Sequence, residues 1–130
     1  MQTEQQKQEN CIVALQYYEH GVKIKRDHEG CIFNSACCYY LQGKYANAEK
    51  WFNLAIKVRP SWQDCYFGSC ISSLKLGKYV EAYEAVKKLT EMGQEEWTAT
   101  MYSQEQAVFL KAVCARLLGD TFEAESKEIY

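Results

Sequence analysis

Cysteines and histidines are the residues of this chain whose types could hold a metal or exchange electrons. Seven cysteines and two histidines, His20 and His28, occur among 130 residues. No Cys-x-x-Cys pair occurs, and no cysteines are followed by paired histidines at the separation of a zinc site. The sequence therefore predicts no metal and no cofactor. All seven thiols are expected to be reduced, and most of them buried, as is usual in a reducing compartment.

Candidates for catalysis are equally few. A hydrolase needs a nucleophile, an oriented base and donors for the oxyanion, and no motif of this kind occurs. The run Asp27-His28-Glu29 fits a solvated helix start, with Asp27 as N-cap, better than an acid–base pair. Gly43-Lys44 and Gly77-Lys78 lack the spacing of a phosphate-binding loop. We therefore expect no catalytic residue and no enzymatic activity.

Charge and hydropathy limit the classes of partner. A net charge of -2 and a pI near 5.7 do not provide the clustered Lys and Arg that neutralise phosphates, so nucleic acid is not expected. Residues 1–9 form a polar tail without the apolar core of a signal peptide. No apolar run approaches the roughly 18 residues of a membrane span. We expect an intracellular protein, in the cytoplasm, with no membrane span.

A repeat with a period of 34 residues occupies the middle of the chain. Residues 29–62 align with residues 63–96 without a gap, and seven positions are identical. The block Gly-Lys-Tyr-x-x-Ala stands at Gly43–Ala48 and again at Gly77–Ala82. An ungapped period of this length is typical of helical solenoids.

Each unit is predicted to contain two helices. In the first unit, the apolar stretch Cys31–Leu41 is followed by Gly43, a typical helix C-cap. A second helix follows, with apolar residues at three- and four-residue spacing, and it stops at Pro60. Ser61 is expected to cap the next helix. Small residues mark the points where the helices are expected to touch: Ala36, Ala48, Ala55, Cys70 and Ala82.

These features resemble the tetratricopeptide repeat family. The first unit departs from the family pattern only at Ser35. The second is weaker and departs at Ser69, Ser73, Leu89 and Gln94. The resemblance implies an all-α fold: a solenoid of antiparallel helix pairs with about seven helices. The residues of the first unit that carry it are Ile32, Ala36, Tyr39, Ala48, Phe52, Ala55 and Pro60.

The array is expected to extend both ways, over residues 10–130. Residues 10–28 look like the second helix of a partial repeat. Downstream, Gly119 and Ala124 keep the five-residue Gly–Ala spacing after an insertion of about eight residues. This spacing predicts a divergent last repeat over residues 97–130.

Two helices are predicted within that last repeat. Ser103 and Gln106 form a capping box that opens the first of them. A turn at Gly119 is expected to separate it from a short final helix.

The resemblance also implies a concave groove lined by the first helix of each repeat. One phenylalanine per repeat is expected there, at Phe33, Phe67 and Phe109. The other residues expected to contact a partner are Cys37, Tyr40, Ile71, Leu74, Val113 and Arg116. Such an apolar face suits a partner helix or an extended segment of another protein.

Two alternatives to this picture stay open. The chain's own ends could cover the groove, namely residues 1–9 or the inserted stretch with Trp97, Met101 and Tyr102. The chain could also be a small structural subunit embedded in a larger multi-protein assembly.

One task known in the family is not supported. The carboxylate clamp for acidic chaperone tails requires Lys and Asn at positions held here by Phe33, Cys37 and Gly68. The function expected first is therefore a non-catalytic scaffold or adaptor that binds other proteins in an apolar groove.

Overall fold

The computed structural model describes residues 29–92 and 103–129, and residues 3, 5, 6, 15, 16 and 20 before them; for residues 120–129 it describes the backbone alone. No strand occurs in this part of the chain. The predicted all-α architecture is therefore confirmed. The two longer stretches contain five helices: α1 (Glu29–Leu41), α2 (Tyr45–Val58), α3 (Gln63–Lys75), α4 (Tyr79–Thr90) and α5 (Gln104–Ile129).

The helices pack in the order in which they follow one another. α1 packs on α2, α2 on α3, α3 on α4, and α4 on α5, and α1 also touches α3. Short turns join the first four helices, so consecutive helices form hairpins that stack side by side. This arrangement places the first helices of the two repeats, α1 and α3, next to each other.

The two glycine turns have the same geometry. Gly43 and Gly77 adopt φ values of 77° and 74°, the left-handed conformation in which a side chain is disfavoured. At the first turn, Lys44 N–H donates to the Tyr39 carbonyl at 2.9 Å and Gly43 N–H donates to the Tyr40 carbonyl at 3.0 Å. This is the Schellman pattern of a helix C-terminus. The predicted C-caps are therefore confirmed.

The start of α3 differs from the prediction. Its N-cap residue is Trp62, without a side-chain capping bond, so the cap predicted at Ser61 is wrong. Instead, the Tyr66 hydroxyl donates a 2.6 Å hydrogen bond to the Pro60 carbonyl and ties the first turn of α3 to the end of the preceding hairpin. The cap predicted at Asp27 lies outside the described residues.

The start of α5 confirms the predicted capping box. Ser103 N–H donates to Gln106 Oε1 at 2.8 Å, and Gln106 N–H donates to Ser103 Oγ at 3.2 Å. The turn predicted at Gly119 is wrong, because α5 continues to Ile129 and Gly119 has no positive φ. Good helix formers, Leu117 and Leu118, precede this glycine, and a glycine inside a helix costs only about 1 kcal/mol relative to alanine. The division of residues 97–130 as a repeat stays a prediction.

Small residues lie where the helices meet. The five predicted contact residues are all buried: Ala36, Ala48, Ala55, Cys70 and Ala82. Ala48 packs with Ala36 and Phe52 between α1 and α2, and Ala82 packs with Cys70 between α3 and α4. Equivalent positions of the two repeats thus perform the same packing task.

A polar contact also joins the two hairpins. Ser73 Oγ donates to Glu49 Oε2 at 2.6 Å, and Lys78 Nζ donates to Glu49 Oε1 at 2.9 Å. Burial by itself raises the pKa of Glu49, but the hydrogen bonds from Ser73 and Lys78 outweigh it and hold this pKa below its ordinary value. Glu49 therefore links α2 to α3 and to the turn that follows α3.

Candidate functional site: the groove between α1 and α3

An open apolar cavity of about 230 Å³ lies between α1 and α3. We call it the α1–α3 groove. Three helices contribute to it, because α2 supplies part of the floor. Its lining residues are Phe33, Cys37, Tyr40, Leu41, Phe52, Asp64, Gly68 and Ile71.

The floor of the groove is formed where Phe52 meets Gly68. A Cβ built on Gly68 would overlap the Phe52 ring. Phe52 is itself buried and packs with Ala36 and Ala48. The absence of a side chain at Gly68 therefore allows the α2 ring to reach the face of α3 below the groove.

Aromatic contacts hold the walls. The Phe33 ring centroid lies 5.8 Å from that of Phe52, edge to face, and 4.6 Å from that of Trp62. The Tyr40 ring lies 5.2 Å from the Tyr45 ring, again edge to face. Such pairs favour fixed ring orientations, so Phe33 and Tyr40 present defined surfaces to the groove.

A single carboxylate lies in this apolar setting. Asp64, in the first turn of α3, is only 7% exposed, and its Oδ1 atom has no hydrogen-bond partner. Asp64 lies close enough to Cys37 to affect its pKa. Burial raises the pKa of Cys37 to about 12, and the charges of Cys38 and Asp64 contribute to this shift. The groove thus combines aromatic walls with an unsatisfied acceptor.

Four of the nine residues predicted to contact a partner line this groove: Phe33, Cys37, Tyr40 and Ile71. Phe67 does not. It is 1% exposed and packs with Leu89 and Ala107, because α4 and α5 cover its side of α3. Leu74 is half-buried against the cluster around Cys70.

The three predicted contact residues of α5 lie elsewhere. Phe109 is 70% exposed, Val113 is half-buried and Arg116 is exposed, and none of them lines the groove. The expected ladder of one phenylalanine per repeat is therefore wrong: Phe33 lies in the groove, Phe67 in the core and Phe109 on the surface.

Four groove residues were not predicted from the sequence: Leu41, Phe52, Asp64 and Gly68. Phe52 was named only among the residues that carry the family resemblance, and it also packs against Ala36 and Ala48. Asp64 occupies the first turn of a helix, where an acidic residue is common for reasons of the helix dipole alone. Gly68 could have been predicted, because a glycine inside a helix often marks a point where a neighbouring element packs closely against the helix.

The described cysteines are free thiols, and most of them are buried. They number six, and Cys11 lies outside the described residues. Burial, and after it the negative charge of Asp64, raises the pKa of Cys65 to about 12. Burial also raises the pKa of Cys70 and Cys114. Within residues 29–92 and 103–119, no group of three or more His, Cys, Asp or Glu side chains is placed to hold a metal ion.

Two further expectations concern the cover of the groove and membrane spans. Residues 1–9 and the stretch with Trp97, Met101 and Tyr102 fall almost wholly outside the described residues, so cover by the chain's own ends stays a prediction. None of the helices described is long and apolar enough to cross a membrane.

Comparison with known families identifies the hairpin that builds one wall of the groove. A family model described as "Tetratricopeptide repeat" matches residues 30–61, which correspond to α1, α2 and the turn after them. A comparison with curated proteins finds no match. The Schellman turns and buried alanines repeat in the α3–α4 hairpin. Residues 30–61 therefore match a tetratricopeptide repeat, a repeat whose presence suggests a protein–protein interaction module.

Proposed function

We propose that this chain is a non-catalytic adaptor that binds a segment of another protein in the α1–α3 groove. The observation that carries the proposal is the apolar, aromatic lining of an open groove between the first helices of two consecutive repeats. Apolar grooves between helices are one of the places where a helix or an extended segment of another protein docks.

The size of the groove favours a protein segment over a small molecule. Ligand pockets for drug-sized molecules measure about 300–1,000 Å³, and this cavity measures about 230 Å³. It can take one or two anchoring side chains of a helix or an extended segment. The exposed Leu41 extends the apolar surface beyond the cavity and adds contact area for the rest of the segment.

The chemistry of the groove supports a non-catalytic role. Cys37 is its one thiol, and a cysteine acts as a nucleophile only as the thiolate. Burial and neighbouring charges raise the pKa of Cys37 to about 12, so the thiol stays protonated at neutral pH. The groove therefore offers contact surface rather than a reactive group.

Quantitative affinity capture with groove variants tests this proposal. Ile71→Asp places a charge on the groove wall, and Val80→Asp places the same charge on α4, at a residue 58% exposed and outside the groove. We expect Ile71→Asp to lose the partners that the wild-type chain and Val80→Asp both retain. Equal capture by all three proteins would contradict the proposal. Circular dichroism of each variant verifies that the helices are intact.

One observation favours the alternative of a structural subunit. Val108 and Phe109 are 62% and 70% exposed on α5. Another subunit packed on α5 would bury both. Sedimentation of the isolated chain separates the two functions: a monomer supports the adaptor, and self-association that Phe109→Ser abolishes supports the subunit.

A further inference from the structure

Asp64 is the polar feature of the α1–α3 groove that folding leaves unsatisfied. Only 7% of the residue is exposed, and its Oδ1 atom has no hydrogen-bond partner. Burial of an acceptor without a hydrogen bond costs about 1–3 kcal/mol, and more when the group is charged. Such a group in a native protein calls for a physical explanation, and a bound ligand is one.

The protein supplies no cation to this carboxylate among the described residues. Arg59 acts on the same thiol as Asp64, since Arg59 lowers the pKa of Cys65 while Asp64 raises it. However, Arg59 donates to Glu29 at 3.1 Å and lies over the Trp62 ring at 5.4 Å. Its charge is thus engaged at the turn between the hairpins.

The surroundings of Asp64 match an organic cation rather than a metal ion. Within the described part of the chain, no cluster of three or more metal-ligating side chains includes this carboxylate. Phe33, Tyr40 and Phe52 line the same cavity. Aromatic faces attract an ammonium or guanidinium group within about 6 Å, and a buried carboxylate pairs with the same groups.

We infer that the partner segment inserts a basic side chain, in the first place an arginine, between α1 and α3 and pairs it with Asp64. This inference rests on the proposed function, because it names the chemistry of the segment that the groove binds. A guanidinium group fits best because it is planar, stacks on aromatic rings, is weakly hydrated and offers parallel donors to a carboxylate. Apolar residues on either side of the arginine then contact Ile71 and Leu41.

The volume agrees with a single inserted side chain. An apolar cavity of about 150 Å³ is enough to hold benzene, and the groove offers about 230 Å³.

The preferred charge of the bound side chain is opposite to that bound by the carboxylate clamp, because the groove presents an acid where the clamp presents bases.

Selection from a random peptide display library tests the inference with the full chain as target. The selected peptides are synthesised, and their dissociation constants are measured by fluorescence anisotropy. We expect the peptides to share an arginine or lysine flanked by apolar residues. Asp64→Asn, which keeps the size of the side chain, should weaken binding about thirtyfold or more, because the basic group then loses its buried charge partner.

Two matched controls accompany the measurement. Glu84→Gln removes the same charge from an exposed position on α4 and should leave binding within about twofold. Replacement of the peptide arginine by citrulline removes the charge from the other partner and needs no change in the protein. It should weaken binding to the wild-type chain and have little effect on Asp64→Asn.

The outcomes separate the inference from the proposed function. Peptides without a basic residue whose binding is lost in Ile71→Asp would overturn the inference and leave the groove as the binding face. Peptides that bind Ile71→Asp and Asp64→Asn as well as wild type, or no selected peptide at all, would overturn both. Three basic residues, Lys23, Lys25 and Arg26, precede α1 in the sequence and lie outside the described residues. If peptides bind only after these three are replaced by Gln, the chain's own basic residues fill the site, and the inference of a partner's arginine fails.

Discussion

The Phe52 ring of α2 lies against the backbone of Gly68 in α3, at the point where a Cβ atom would stand. This contact joins the two repeats and forms the floor of the α1–α3 groove. The ring also packs with Ala36 and Ala48, so it could make room for a Cβ atom only by giving up these contacts.

Gly68→Ala is therefore expected to destabilise the chain. Overpacking of a close contact costs about 1–3 kcal/mol, and chemical denaturation measures it. Gly119→Ala is the matched control, because a Cβ there would meet nothing within 4 Å inside α5. That variant should gain up to about 1 kcal/mol from helix propensity. Equal stabilities of the two variants would show that Phe52 does not approach Gly68.

Phe67→Ala and Phe109→Ala should differ in their effect on stability. Phe67 is buried with Leu89 and Ala107, and loss of a buried phenylalanine costs about 3–5 kcal/mol. Phe109 is exposed, and its loss should change the free energy of unfolding by no more than about 0.5 kcal/mol. Denaturant titrations measure both. A larger effect at Phe109 would mean that α5 packs with its opposite face on α4.

The contrast between these two phenylalanines shows what the sequence could predict. The 34-residue period and the glycine at each turn were sufficient to predict the α1–α4 hairpins, because each of these turns joins two helices that follow one another in the sequence and pack together. The environment of Phe67 depends on where α5 packs after a long connection, and spacing carries no information about that. Asp64 was missed because its position in a first helical turn has a sufficient local explanation.

The turn predicted at Gly119 failed for a related reason. The same residue type ends α1 and α3 but lies inside α5, because a glycine permits a left-handed turn without requiring one. At Gly43 and Gly77 the following helix packs back on the preceding one and selects the turn.

The link made by Glu49 predicts a pH dependence of stability. The hydrogen bonds from Ser73 and Lys78 hold the pKa of Glu49 below its ordinary value of 4.5, so its contribution is present at neutral pH and is lost as pH falls through the lowered pKa. Glu49→Gln should lower the free energy of unfolding by about 1 kcal/mol at pH 7. The difference from wild type should shrink below about pH 4.5.

Thermal or urea unfolding from pH 3 to pH 7 measures this difference. Glu84→Gln is the control, since Glu84 is exposed and its loss should have a small effect at every pH. A gap between wild type and Glu49→Gln that widens towards low pH would contradict the assigned role of Glu49.

The buried thiols should be unreactive in the folded protein. Cys70 Sγ and Cys114 Sγ lie 3.8 Å apart between α3 and α5, and burial raises the pKa of both. Alkylation by iodoacetamide at pH 8 needs the thiolate, so neither residue should be labelled until the chain is unfolded. Peptide mass spectrometry reads the labels. Missing adducts at both residues after unfolding without a reductant would reveal a disulfide and contradict the assignment of free thiols.

The central claim is that a partner protein binds in the groove between α1 and α3, and site-specific photocrosslinking tests it most directly. A benzophenone side chain replaces Ile71 in the groove or Val108 on α5, and the crosslinked partner peptides are sequenced. The account predicts crosslinks from position 71 to an apolar segment, their loss in Asp64→Asn, and none to that segment from position 108. Crosslinks from position 108 with none from position 71 would contradict it and move the binding face to α5.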